Sequence, residues 1–309
     1  MAYEDFQQNA LVTRYDDIYL VAGARTPFAD YNGVLRDVNP IDLGIFAARA
    51  LFERSGIPAA QVQSVVAGNM AQAGFDAYYL PRHIGLYAGV PVAVPAIMVQ
   101  RICGTGFELF RQAGEHIQGG ACEAALVVGT ENMTRNPIAA FDHRTGFKLG
   151  APVGFKDYMW EALKDPAAGI NMIQTAENLA KKYGITREQV DEFAAASFAK
   201  AVAAQQSGFL AGEIVPVVSE KFELEGYQPR GIKLQGKTTE VAQDTHPRPS
   251  PLDVLAKLAP YLLVGAIDLA LCLLAAKFLF HVPMRGSLWV IVLASLLYLT
   301  VSLLLGLFI

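Results

Sequence analysis

This 309-residue sequence predicts an α/β layered domain with a mostly parallel sheet, then an inserted helical and looped region, then a transmembrane helical hairpin. Three observations predict it. From Asp17 to Gly129, short β-branched apolar runs alternate with segments of helical spacing. From Arg135 the sequence becomes polar, with helices and turns. Charge then almost vanishes: 51 of 54 charged residues precede Leu258, and only Asp268, Lys277 and Arg285 follow.

The elements follow in order. Asp17–Ala22 (DIYLVA) is an apolar, β-branched run ended by Gly23 and reads as a buried strand. In Ile41–Ser55, Leu43, Phe46, Ala47, Ala50 and Leu51 share one side of a helix that Gly56 stops. Gln63–Gly68 is a second strand. Val94–Gln100 is extended and leads into Cys103, and a helix runs from Gly104 to Gln118, closed by Gly119-Gly120. Ala124–Gly129 is a third apolar strand. Beyond it, Thr175–Tyr183 and Thr186–Gln206 read as helices, with Thr186 and Gln189 spaced as a capping box. Pro216–Gly236 reads as irregular and polar, so residues 135–250 are expected to be helix and loop rather than further sheet.

The tail holds Ala259–Phe280, interrupted by Asp268 and Lys277, and Ser287–Ile309, 23 residues without a charge. About 20 apolar residues span a bilayer. The short connector His281–Gly286 makes the pair a hairpin, and Tyr261, Trp289 and Lys277 stand where interfacial anchors would.

Composition narrows the function. The acidic body, without a basic run, argues against nucleic-acid binding. Cys103, Cys122 and Cys272 are too few and scattered for a disulfide framework, and none stands in a metal-ligand spacing, so no metal site is expected. Met1–Ala10 is polar and acidic, with no secretory pattern, which points to a cytoplasmic body.

Val99–Gly106 (VQRICGTG) carries the chemistry. It sets a cysteine between an extended segment and a helix start, flanked by glycines. Open N–H groups at a helix start favour a thiolate, and glycines admit a substrate close to the backbone. A thiolate there can attack an acyl carbonyl while nearby N–H groups hold the oxyanion. A lone cysteine in apolar sequence is equally at home as a core residue.

Further blocks surround this motif in order: Arg25-Thr26-Pro27-Phe28 after the first strand, Val127–Met133 (VVGTENM), Met172 with Thr175-Ala176-Glu177-Asn178, Tyr183–Glu188, and Gly212–Pro216. Over residues 16–258 the chain resembles the N-terminal half of a thiolase, an acetyl-CoA acyltransferase. The resemblance implies half of a five-layer αβαβα fold, with residues 1–134 as the first α/β half, 135–250 as the loop domain and 251–258 as a junction. It implies Claisen-type acyl transfer between CoA thioesters through an acyl-enzyme on Cys103, whose own N–H contributes to an oxyanion hole. It implies that Met172 lines the CoA and acyl pocket, that acetyl-CoA or another acyl-CoA is the substrate, and that no cofactor stays bound. A homo-oligomer or a thiolase partner chain is the implied assembly.

The chain also departs from the pattern. Asn171 stands where the family often has histidine, and Ile173 and Gln174 replace small residues. The second-half Asn motif, Gly-His-Pro histidine and glycine-flanked cysteine are not found. His281 reads as interfacial and Cys272 as a small apolar residue. The tail, about residues 255–309, is similar to two membrane helices of an ABC-type exporter permease, which implies a hairpin (about 259–280 and 287–309) in the inner membrane. Three readings stay open: an active thiolase, a membrane-tethered fragment that binds acyl-CoA or a thiolase without catalysis, and a truncated fusion without joint function. On the second and third, the isolated chain is catalytically incompetent.

Overall fold

A computed structural model of the chain describes residues 14–251 apart from 72 and 142. They form two compact units. The first holds the described residues up to Leu179 with Ala204–Pro247; the second holds Ala180–Ala203 with the described residues from Arg248.

The first unit is built on α1 (Pro40–Ser55). Asn39 caps it, accepting a hydrogen bond from the Ile41 amide, and proline opens the first turn. Gly56, at φ 68°, ends it in the left-handed conformation, with its N–H on the Phe52 carbonyl. Strand β1 (Ser64–Gly68) follows, then α2 (Leu80–Tyr87), β2 (Ala96–Met98), α3 (Thr105–Gln118) and β3 (Ala125–Gly129). The three strands make one sheet in the order β2-β1-β3, both pairings parallel, with Val65 opposite Ala96 and Leu126. The expected parallel α/β sheet is therefore present.

Side chains alternate along its strands as a pleated sheet requires. Val65, Ala67, Leu126 and Val128 face α1 and α2, joining Ile41, Ile45, Leu80 and Ile84 in the main core. Val66, with Ala125 and Val127, faces the other way, onto Leu109 and Ala113 of α3. The approach of α2 to α1 is close: a Cβ on Gly44 would stand 2.5 Å from Ile84 Cδ1.

Two expectations are corrected. Asp17–Ala22 has no ladder partner among the described residues, and Tyr19, Leu20 and Val21 are 76–82% exposed. Its apolar run met the local requirement for a strand but not the neighbour that completes one. Pro216–Gly236, expected to be irregular, is so over most of its length but carries short paired strands at Val217–Val218, Glu220–Phe222 and Arg230–Ile232. After β4 (Ile138–Ala139), β5 (Lys156–Asp157), α4 (Tyr158–Leu163), β6 (Lys164–Asp165), β7 (Ile170–Asn171), α5 (Met172–Tyr183) and α6 (Arg187–Gln206) come four short strands. These are β8 (Val217–Val218), β9 (Glu220–Phe222), β10 (Arg230–Ile232) and β11 (Glu240–Val241), paired antiparallel as β8 with β11 and β9 with β10. Strands of two or three residues leave too short an alternation to read. Their buried Val217, Phe222, Ile232 and Val241 join the core around Ile41 and Ile45, so α1 is buried on more sides than a single stripe. Arg230 fastens β10 there, donating to Asp42 at 2.7 Å and Asp76 at 2.9 Å.

In the second unit, Thr186 and the N-terminal part of α6 form the expected capping box: the Thr186 amide donates to Gln189 Oε1 at 3.0 Å and the Gln189 amide to Thr186 Oγ1 at 3.3 Å. Among the described residues, no helix is long and apolar enough to cross a membrane. The expected hairpin at 259–309, with Cys272 and His281, lies outside the described residues.

Candidate functional site

The sheet ends its strands toward one region, and β2 delivers the chain there. Val99 donates to the Ala67 carbonyl at 3.1 Å, the last tie to β1. The chain then bends sharply into α3. Ile102 takes φ 47°, left-handed backbone that a β-branched residue almost never adopts. Such strain persists only where surroundings impose it, and it gathers at functional sites.

The surroundings here are specific. Thr105, 6% exposed, accepts from the Arg101 amide at 2.8 Å and donates its hydroxyl proton to the Ile102 carbonyl at 2.7 Å. Gly104 and Thr105 amides close onto the Arg101 and Ile102 carbonyls at 3.0 and 3.1 Å. Arg101 also reaches forward to buried Glu108 at 2.8 Å, which Arg111 holds from the other side. The two arginines, Arg111 first, bring the Glu108 carboxyl down to about 2.

Cys103 sits on the outer side of this bend and is exposed. Gly104 is the N-cap of α3 and has no side chain to cap it; the Thr105 amide is taken by the Ile102 carbonyl, and the Gly106 and Phe107 amides that follow have no described partner and can meet a ligand's negative charge. Cys122, by contrast, is buried, and burial pushes its thiol pKa up. An exposed thiol at an uncapped helix start, on a strained bend, is the arrangement a nucleophile needs.

Gly68 lets this happen. A Cβ there would stand 2.0 Å from the Val99 carbonyl oxygen and 3.0 Å from Thr105 Cγ2. The neighbouring loop is fixed by Glu131, which accepts from the Met70, Ala71 and Asn132 amides. Burial raises the Glu131 pKa against those three bonds. Gln100 donates to the Met70 carbonyl at 2.5 Å. Other polar residues of the VVGTENM block bind backbone: Thr130 donates to Pro40, and Asn132 to Leu35, Arg36 and Val38. Arg25 pairs with both carboxylate oxygens of Asp244, at 2.7 and 2.9 Å, and with Glu213.

Met172 opens α5 and is 63% exposed. Two of the three unusual residues around it have a use. Asn171 and Gln174 exchange hydrogen bonds: the Asn171 amide donates to Gln174 Oε1 at 2.9 Å, and the Gln174 amide to Asn171 Oδ1 at 3.0 Å. Asn171-x-x-Gln174 is thus a capping box that sets the turn carrying Met172. The N-x-x-Q spacing is a sequence signal for it that the comparison with the family pattern passed over; the roles of Thr105 and Glu108 carry no such signal, because only the folded bend brings them to Arg101. No described contact joins Cys103 to Met172. A cavity of about 380 Å³ lies elsewhere, between Arg25–Tyr31, α1 and β3, and neither residue lines it. Cavity size alone would favour that place, but the strained bend and the exposed thiol favour Cys103.

Residues 18–265 match the family model "Thiolase, N-terminal domain". The mitochondrial 3-ketoacyl-CoA thiolase of Bos taurus is 37% identical over 244 residues, covering 79% of this chain and 58% of that protein. The acetyl-CoA acetyltransferase of Syntrophomonas wolfei is 34% identical over 248 residues, with 79% and 59% covered. The crystal structure of human mitochondrial 3-ketoacyl-CoA thiolase in complex with CoA superimposes with a TM-score of 0.69 at 35% identity, over 77% of this chain and 56% of that one. This chain therefore spans a little over half the length of the relatives it matches. With the parallel sheet, the ordered motifs and this match in agreement, the chain belongs to the thiolase family, through that family's N-terminal domain.

Proposed function

We propose that this chain carries the acyl-accepting centre of a thiolase, with Cys103 as the nucleophile and a CoA thioester such as acetyl-CoA as the substrate. The observation that carries the reading is the exposed Cys103 thiol on the left-handed bend before the uncapped start of α3. Cys103 Sγ gives up its proton to a base and attacks the thioester carbonyl. A new carbon–sulfur bond forms at Cys103, the bond to CoA breaks, and CoA leaves as the thiol with that proton. The Cys103 amide and the start of α3 stabilise the oxyanion. Met172 lines the pantetheine and acyl pocket. Residues 1–134 act as the first α/β half and 135–250 as the loop domain over CoA, joined through 251–258 to the tail.

The base is the family's Gly-His-Pro histidine, brought by a thiolase partner chain; without it the acyl step on this chain is slow. No resident cofactor or metal enters the step. Incubation of the purified chain with acetyl-CoA, followed by mass spectrometry, tests the reading. An acetyl group on the peptide bearing Cys103, absent in Cys103→Ala, is expected. No adduct, even with a full-length thiolase added, would overturn it.

A second reading concerns the tail. Ser287–Ile309 has 23 residues without a charge, which supports a membrane hairpin that tethers a cytoplasmic body.

A further inference from the structure

Deepening the reading of Cys103 as acyl acceptor, and resting on it, we propose that Thr105 and Glu108, buried together in the first turn of α3, are positioning residues that hold the Arg101–Ile102–Cys103 bend and so present the thiol. Left-handed backbone at a β-branched residue does not hold itself. The Thr105 hydroxyl bonds both flanks of the strained residue, taking the Arg101 amide and giving to the Ile102 carbonyl. The Thr105 methyl packs over Gly68, where an added Cβ would stand 3.0 Å from it. Glu108 secures the entry to the bend through the Arg101 side chain, and Arg111 keeps its carboxylate in place. No described hydrogen bond joins either side chain to the thiol. Both act through the backbone that carries it. Freed of them, Ile102 relaxes to an ordinary conformation and the thiol is no longer presented at the start of α3.

Iodoacetamide labelling of the full chain at one fixed pH, read by mass spectrometry at Cys103, tests this without depending on turnover. Thr105→Val keeps the shape and removes both hydroxyl bonds, while Thr105→Ser keeps them. With one hydrogen bond's worth of support lost, Thr105→Val is expected to label about fivefold slower or more, and Thr105→Ser to stay within about twofold of the unaltered chain. Buried Cys122 reports the fold, labelling only if the core opens. If Thr105→Val opens it, Arg101→Gln decides, since it cuts the exposed contact to Glu108 and is expected to slow Cys103 labelling about twofold. A folded Thr105→Val labelling at the unaltered rate overturns the proposal. So does Thr105→Ser slowing as much as Thr105→Val, or Arg101→Gln without effect where Thr105→Val does not fold. A chain that shows the expected labelling pattern but takes no acetyl group from acetyl-CoA would refute the acyl-transfer reading and leave this one standing.

Discussion

Glu108 illustrates how one residue ties the Cys103 segment to pH. Its carboxyl, held first by Arg111 and then by Arg101, has fallen from an ordinary 4.5 to about 2. The folded value lies below the unfolded one, so the contribution to stability is complete above about 4.5 and drains away as pH falls toward 2. Urea unfolding of the chain and of Glu108→Gln across that window checks the sign. The unaltered chain should be the more stable at neutral pH, and the gap should close on acidification. A gap that stays constant from neutral pH down to about pH 2 would mean that the carboxylate charge contributes nothing there.

Among the elements, those whose partners lie nearby in sequence were legible. Gly56 stops α1 where its sequence predicts, with the start one residue earlier at Pro40 behind the Asn39 cap, and Thr186 with Gln189 starts α6 as expected. Strands β1 and β3 stand within a residue of the apolar runs that announced them. The short strands within Pro216–Gly236 were not legible because their apolar anchors are isolated among polar residues and gain meaning only against α1. Asp17–Ala22 failed in the opposite sense, since its local pattern is strong and its partner is missing among the described residues. The segment proposed to carry the nucleophile is marked in the sequence by its glycines, while the bend that presents Cys103 depends on side chains two and five residues further on. The capping box before α5 gives an element-scale expectation. Asn171→Ala should cost about 1 kcal/mol of local stability, and speed hydrogen exchange of the Gln174 amide roughly fivefold, with Asn171→Asp close to unaltered. Unchanged exchange at Gln174 would show that the turn carrying Met172 stands without its cap.

The whole molecule joins a body of ordinary charge to a tail almost without any. If the tail is a membrane hairpin, the full chain expressed in bacteria should sediment with membranes and resist alkaline carbonate. A chain ending at Leu258 should stay in the supernatant, and full-length protein released by carbonate would remove the tether. The core described above also sets an order of events during synthesis. Val241 belongs to the same buried cluster as Ile41, two hundred residues earlier. The cluster cannot close until the ribosome has passed Val241, and the apolar tail begins only eighteen residues later, at Ala259. Body and tail therefore leave the ribosome almost together, and the body is still open when the apolar tail needs its own shelter.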